Sequence, residues 1–196
     1  KLKPVLQEFV DELKDLKVDE LNSNMKNRKL SLFAQRKDRK EEFGENYCIT
    51  YLASFAQLAQ AQRHRTLIYE MSFLDEPKYY VPPIIKGTKL EEEWLKDISS
   101  LEDFYPQGML VKVNERGTLE NFILKCTERL CGAAQLEIME QTDRIMKKYL
   151  EATKEKNPEI YEELLPYSKG ARCTFPGWKC TTPCVFGPKN AMKRKI

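Results

Sequence analysis

Histidine is nearly missing from this chain: His64 is the only one in 196 residues. That excludes the two-histidine metal motifs and leaves one side chain whose unperturbed titration falls near neutrality. Cys48, Cys126 and Cys131 are the nucleophile types that such an imidazole could activate, yet nothing local marks any of them as its partner. Its flanking Arg63 and Arg65 point instead to an exposed basic face. Glycine is sparse at eight residues, and none builds a phosphate cradle. A serine elbow and a kinase set are missing too. The acidic runs Glu91-Glu92-Glu93 and Glu162-Glu163 aim no carboxylate pair at a shared cleft and read as solvated helix faces. The expectation is a protein that is not an enzyme.

Long apolar runs are missing as well, with none near the roughly 18 residues of a membrane helix. The chain opens on Lys1 with no basic-then-apolar leader, which reads as a piece of something longer with any targeting signal outside it. Six cysteines are too few for a disulfide-dense miniature scaffold. Thiols on helices commonly serve as small apolar residues, so an intracellular protein is expected, in the nucleus rather than the cytoplasm.

Acid is missing from one end only. From 166 to 196 there is no Asp or Glu, while Lys169, Arg172, Lys179, Lys189, Lys193, Arg194 and Lys195 are basic. Seven of the 33 basic residues thus lie in the tail, leaving 26 against all 30 acids over 1–165. A body of net −4 carrying a tail of +7 points to a polyanionic partner.

What is present is mostly helical period. Residues 4–22 carry Leu6, Phe9, Leu13 and Leu16 on one stripe, with Pro4 suited to the first turn. A second helix is read over 30–42, its charge run Arg36 to Glu42 taken as solvated, and a third over 46–64 with Tyr47, Tyr51, Leu52, Phe55 and Leu58 on one side. Prolines 77, 82 and 83 interrupt the pattern and leave Tyr79-Tyr80-Val81 extended. Helix resumes near Thr88, with Leu90, Trp94, Leu95 and Ile98 as its buried stripe. Met109 to Val113 is the one β-like run, bounded by Gly108 and by Asn114 to Gly117. A lone strand is not stable, so it either pairs with the Tyr79 region or is misread. Thr118 caps a long helical region reaching about Lys156, with a possible break at Gly132, and Asn157-Pro158 restarts a short helix. The fold expected is mainly α: an irregular multi-helix domain with at most one short β-hairpin, over residues 1–165. Residues 166–196 follow as a cysteine-bearing, Gly/Pro-rich tail packed on it.

The tail carries the chemistry. Cys173, Cys180 and Cys184 lie within twelve residues, and three thiolates could converge on Zn²⁺, which takes four ligands in a tetrahedron. Binding would supply the ordering free energy that a segment without apolar period lacks, and nearby basic groups favour the thiolates. The spacing is not the paired two-residue pattern of strong zinc signatures, so the fourth ligand must come from elsewhere: Cys126, Cys131, Cys48 or His64. Cys131 is the first choice if the chain breaks at Gly132. A disulfide within the tail, or thiols without a special role, are the competing readings. Around the cysteines, Arg172, Trp178, Lys179, Lys189, Lys193, Arg194 and Lys195 combine charge with an aromatic ring, a recipe for phosphate contact and base stacking. Trp178 could equally dock the tail on the body.

The function expected is a non-enzymatic interaction module or scaffold of a nuclear or nucleic-acid-associated assembly, with a protein partner and a basic, zinc-binding tail. Direct nucleic-acid binding and a secreted, disulfide-held helical protein are the alternatives.

Overall fold

The computed structural model describes residues 47–181 and 184–194. The helices read over 4–22 and 30–42 lie outside the described residues.

The fold differs from the expected helical bundle at its centre, which is a three-stranded antiparallel sheet. Strand β1 is Tyr47–Ser54, β2 is Ile68–Ser72 and β3 is Leu110–Gly117, in the order β1-β3-β2. Tyr47 pairs with Gly117 and Ser54 with Leu110 along β1, while Ile68 pairs with Arg116 and Ser72 with Lys112 along β2. A mixed α/β architecture therefore replaces the mainly α reading with at most one hairpin. The helix read over 46–64 begins only at Phe55: α1 is Phe55–Ala61, capped by Ser54, whose Oγ accepts the Gln57 N–H. Tyr47, Ile49, Tyr51 and Ala53 alternate with partly exposed Cys48 and Thr50, and all four sit in the core. That two-residue period marks a half-buried strand. The strand seen in Met109–Val113 is real but runs on to Gly117, and it is central rather than alone.

The Tyr79 region makes a smaller contribution than full strand pairing. Tyr79 and Met109 form an isolated bridge, and the Tyr80 N–H donates to the Gly108 carbonyl at 2.8 Å. Next comes α2, Lys89–Ser99, capped by Thr88. Its buried residue is Ile98, which clusters with Tyr79 and Met109 and has Trp94 and Leu95 packed partly against it. Leu90, expected in that stripe, is exposed.

After a 3-10 turn at Glu102–Phe104 and β3 come α3 (Leu119–Arg129), α4 (Leu136–Lys156) and α5 (Pro158–Leu164). Thr118 and Asn157 cap α3 and α5 as their residue types imply, accepting from Asn121 and Ile160. The break between α3 and α4 spans 130–135, around Gly132. Leu119, Phe122 and Ile123 of α3 and Ile145, Met146 and Tyr149 of α4 pack on the buried face of the sheet. Tyr47 stacks on Phe122 at 4.7 Å between ring centroids. The outer edge of β1 is covered by Tyr149, whose hydroxyl accepts from the Cys48 N–H at 3.1 Å and donates to the Cys48 carbonyl at 2.8 Å. No helix among the described residues is long and apolar enough to cross a membrane.

Candidate functional site

The tail lies on the body, and its seat is the break between α3 and α4. A helix that stops leaves its last carbonyls without intrahelical partners, and tail residues supply them here. The Arg172 N–H donates to the Leu130 carbonyl at 2.7 Å, and the Arg172 Nη1 donates to the Thr127 carbonyl at 3.0 Å. The same guanidinium stands over the Trp178 ring, 4.9 Å from its centroid. Further along, the Phe186 ring lies against Gly132, and Arg194 donates to the Ala134 carbonyl. Tyr167 and Phe175 meet edge to face at 5.4 Å and belong to the main core, and Ala171 and Ala191 are buried. Among the described residues the tail carries the end of a 3-10 turn at Leu165–Tyr167, a second at Arg172–Thr174 and a short helix α6, Gly187–Asn190.

This seating sorts the tail's charges. Arg172 and Arg194 are partly buried in the contacts that hold the tail down, and Trp178 is partly buried on the core. Lys169, Lys179, Lys189 and Lys193 are exposed. Lys195 lies outside the described residues.

The six cysteines are thiols and divide into two groups. Cys126 is in the core on α3, where burial pushes its thiol well above the usual range. Cys48 faces outward on β1, 3.5 Å from Asn114 Nδ2. The other four belong to the seat and the tail: Cys131 and Cys173 are partly buried, Cys180 and Cys184 exposed. Burial raises the Cys173 thiol, a backbone hydrogen bond pulls it back, and Cys180, Cys131 and Cys184 add to the rise. They are not drawn together as ligands: among the described residues no group of three or more His, Cys, Asp or Glu has metal-holding geometry.

His64 is not on an exposed face, although Arg63 and Arg65 are exposed. It is buried, and burial, then Arg129 and Lys125, push its pKa down to about 3. The imidazole is therefore neutral across the physiological range.

Two further features escaped the sequence reading. Under the sheet, the Glu115 carboxylate accepts from Tyr47 Oη at 2.8 Å, from Tyr51 Oη at 2.5 Å and from Lys125 Nζ at 2.5 Å. Glu115 and Lys125 are both fully buried. The signal for it was the strand alternation itself, which puts Glu115 on the face of Val111 and Val113. At the other end of the sheet, Phe73, Phe104 and Tyr105 are exposed, with Phe73 5.2 Å from Tyr105 between ring centroids. Tyr105 holds a left-handed backbone (φ 49°) and borders two open clefts of about 250 and 280 Å³. Exposed apolar side chains separated by turns carry no sequence period, so nothing singled them out.

No family model matches the chain, and no curated protein matches it in sequence.

Proposed function

We propose that the protein is a non-enzymatic interaction module of a nuclear or nucleic-acid-associated assembly, in which a mixed α/β body presents a lysine-bearing tail to a polyanion. The observation that carries this reading is the division of labour among the tail's cations. Its two described arginines hold the segment to the body, while Lys169, Lys179, Lys189 and Lys193 are exposed in a stretch without any acid. Exposed lysines on a seated segment suit phosphate contact, where affinity comes from counterion release. Trp178 has Arg172 over its ring and is committed to the fold, so backbone charge rather than base stacking is the recognition chemistry. A protein partner has its own support in the exposed Phe73, Phe104 and Tyr105, since aromatic residues are enriched in protein interfaces.

The test is binding of the whole chain to a labelled nucleic-acid duplex across salt. Affinity should fall by more than tenfold between about 50 and about 200 mM salt, given several phosphate contacts. Replacing Lys169, Lys179, Lys189 and Lys193 with Gln should flatten that dependence. Binding that is absent, or indifferent to salt, would remove the polyanion.

A further inference from the structure

We propose that the clefts bordered by Tyr105 form an aromatic and acidic docking site for a basic protein segment, with an arginine or lysine side chain of the partner seated against the Phe73 and Tyr105 rings. This names the chemistry of the protein partner and rests on that part of the reading above. It is independent of the polyanion.

Three separate stretches of chain supply the rings. Phe55 opens α1, Phe73 follows the last residue of β2, and Tyr105 closes the 3-10 turn at Glu102–Phe104. Phe73 meets Phe55 edge to face at 6.2 Å and lies tilted by 39° against Tyr105 at 5.2 Å between centroids. The result is one aromatic wall, and Phe73 and Tyr105 turn about half of their surface to solvent, 52% and 58%. Tyr105 holds φ 49° and ψ 63°, the left-handed region that a bulky side chain rarely adopts. Its N–H donates to the Glu102 carbonyl at 3.0 Å, which closes the turn in that shape. This strained residue lines both clefts. Backbone strain of this kind clusters where a side chain has to be aimed at a ligand.

Charge decides what the wall receives. The stretches 71–77 and 97–110, which border the first cleft, contain Asp75, Glu76, Asp97, Glu102 and Asp103 and no Lys or Arg. All five acids are exposed, and among the described residues no ion pair engages them. Glu102 and Asp103 line the cleft itself, beside Phe73 and Tyr105. An apolar helix would gain the rings but would desolvate carboxylates without pairing them. A cation gains both, since ring faces attract it within about 6 Å and the carboxylates at the rim neutralise it. Arginine fits best, because its planar guanidinium stacks on a ring while its fork of donors meets a carboxylate. The first cleft holds about 250 Å³, below the roughly 300 Å³ at which small-molecule pockets begin, so it suits a single side chain rather than a cofactor.

Fluorescence anisotropy of a short labelled peptide of alternating arginine and glycine, titrated with the full chain, tests the site. Binding should saturate and weaken with salt. Phe73→Ala and Tyr105→Ala should each weaken it by about tenfold, and Asp103→Asn by about threefold. Glu155→Gln, at an exposed acid on α4, should leave it unchanged. Tyr105→Gly separates binding from folding: glycine accepts the left-handed backbone, so the thermal midpoint should hold while binding falls. The same peptide with citrulline in place of arginine should not bind. Equal binding of the citrulline peptide would overturn the cationic partner while leaving a protein partner standing. Failure of the parent to bind the arginine peptide, or binding indifferent to Phe73→Ala and Tyr105→Ala, would overturn the site. So would self-association of the chain that Tyr105→Ala abolishes, since the occupant would then be a second copy. The tail-lysine substitutions bear on the duplex and the ring substitutions on the peptide, so the two readings fail separately.

Discussion

Glu115 and Lys125 are charged side chains with no access to water, and their position decides how much they matter. A buried pair contributes little over an apolar replacement, but breaking one half leaves an uncompensated charge and costs about 3–5 kcal/mol. Here the carboxylate has two tyrosine donors besides the ammonium. Lys125→Met should therefore lower unfolding free energy by about 3–5 kcal/mol in urea titrations, and Glu115→Gln by a comparable amount. The double substitution should lose clearly less than the sum of the two. Single variants within about 0.5 kcal/mol of the parent would show that the pair is not a buried ion pair in solution. The residue scale is also where the sequence was least legible. Glu115 lies in a stretch that reads as a turn, Asn114-Glu115-Arg116-Gly117, because four polar or small residues look like a boundary. The chain instead stays extended, and tyrosines from β1 and a lysine from α3 satisfy the charge. Those partners are 64, 68 and 10 residues away, separations that no local pattern carries.

Elements were legible where capping chemistry is local. Thr88, Thr118 and Asn157 each place an oxygen over the first turn they precede, and three helices begin there. β1 was not legible, because Tyr47, Tyr51, Leu52, Phe55 and Leu58 satisfy a helical period while Tyr47, Ile49, Tyr51 and Ala53 satisfy a strand period. Pairing with β3 decides between them, and β3 lies 56 or more residues on. The switch from strand to helix at Ser54 is tied to the start of α4: the Ser54 N–H and hydroxyl donate to the two Glu137 carboxyl oxygens at 2.8 and 2.5 Å. Burial pushes the Glu137 pKa up to about 7, the bonds from Ser54 pull it back and Glu140 adds to the rise. Between about 4.5, its ordinary value, and about 7 the folded state keeps a proton that the unfolded chain releases. Stability from this group is thus full below that window and declines as pH rises through it. Glu137→Gln removes the decline. The variant's unfolding free energy relative to the parent should rise by on the order of 3 kcal/mol from about pH 4 to about pH 8. A difference independent of pH would mean that Glu137 titrates normally and that the link between Ser54 and α4 is open to water.

At the scale of the whole molecule, the tail is part of how the chain closes on itself. Tyr167 and Phe175 complete the core that the sheet, α3 and α4 begin, and Arg172 and Arg194 occupy carbonyls at the break between those helices. The sequence carried the tail's charge and its cysteines but not this seating, since a stretch punctuated by Gly170, Pro176, Gly177, Pro183, Gly187 and Pro188 has no period from which a buried face could be read. Gly132 shows how the seating constrains sequence. A Cβ added there would lie 2.5 Å from Phe186 Cδ2 and 3.2 Å from its Cε2, so Gly132→Ala forces the ring away. Overpacking of this kind costs about 1–3 kcal/mol. If the cost is confined to the tail, amide exchange over 184–194 should accelerate by about ten- to a hundredfold. The strands and α4 should keep their protection, and the urea midpoint of the body should not move. Unchanged exchange over 184–194 would mean that Phe186 does not rest on Gly132. A fall in the body's midpoint to match would mean that the tail and the sheet unfold as one cooperative unit, and that the break between α3 and α4 is part of the core rather than a seat for a separable segment.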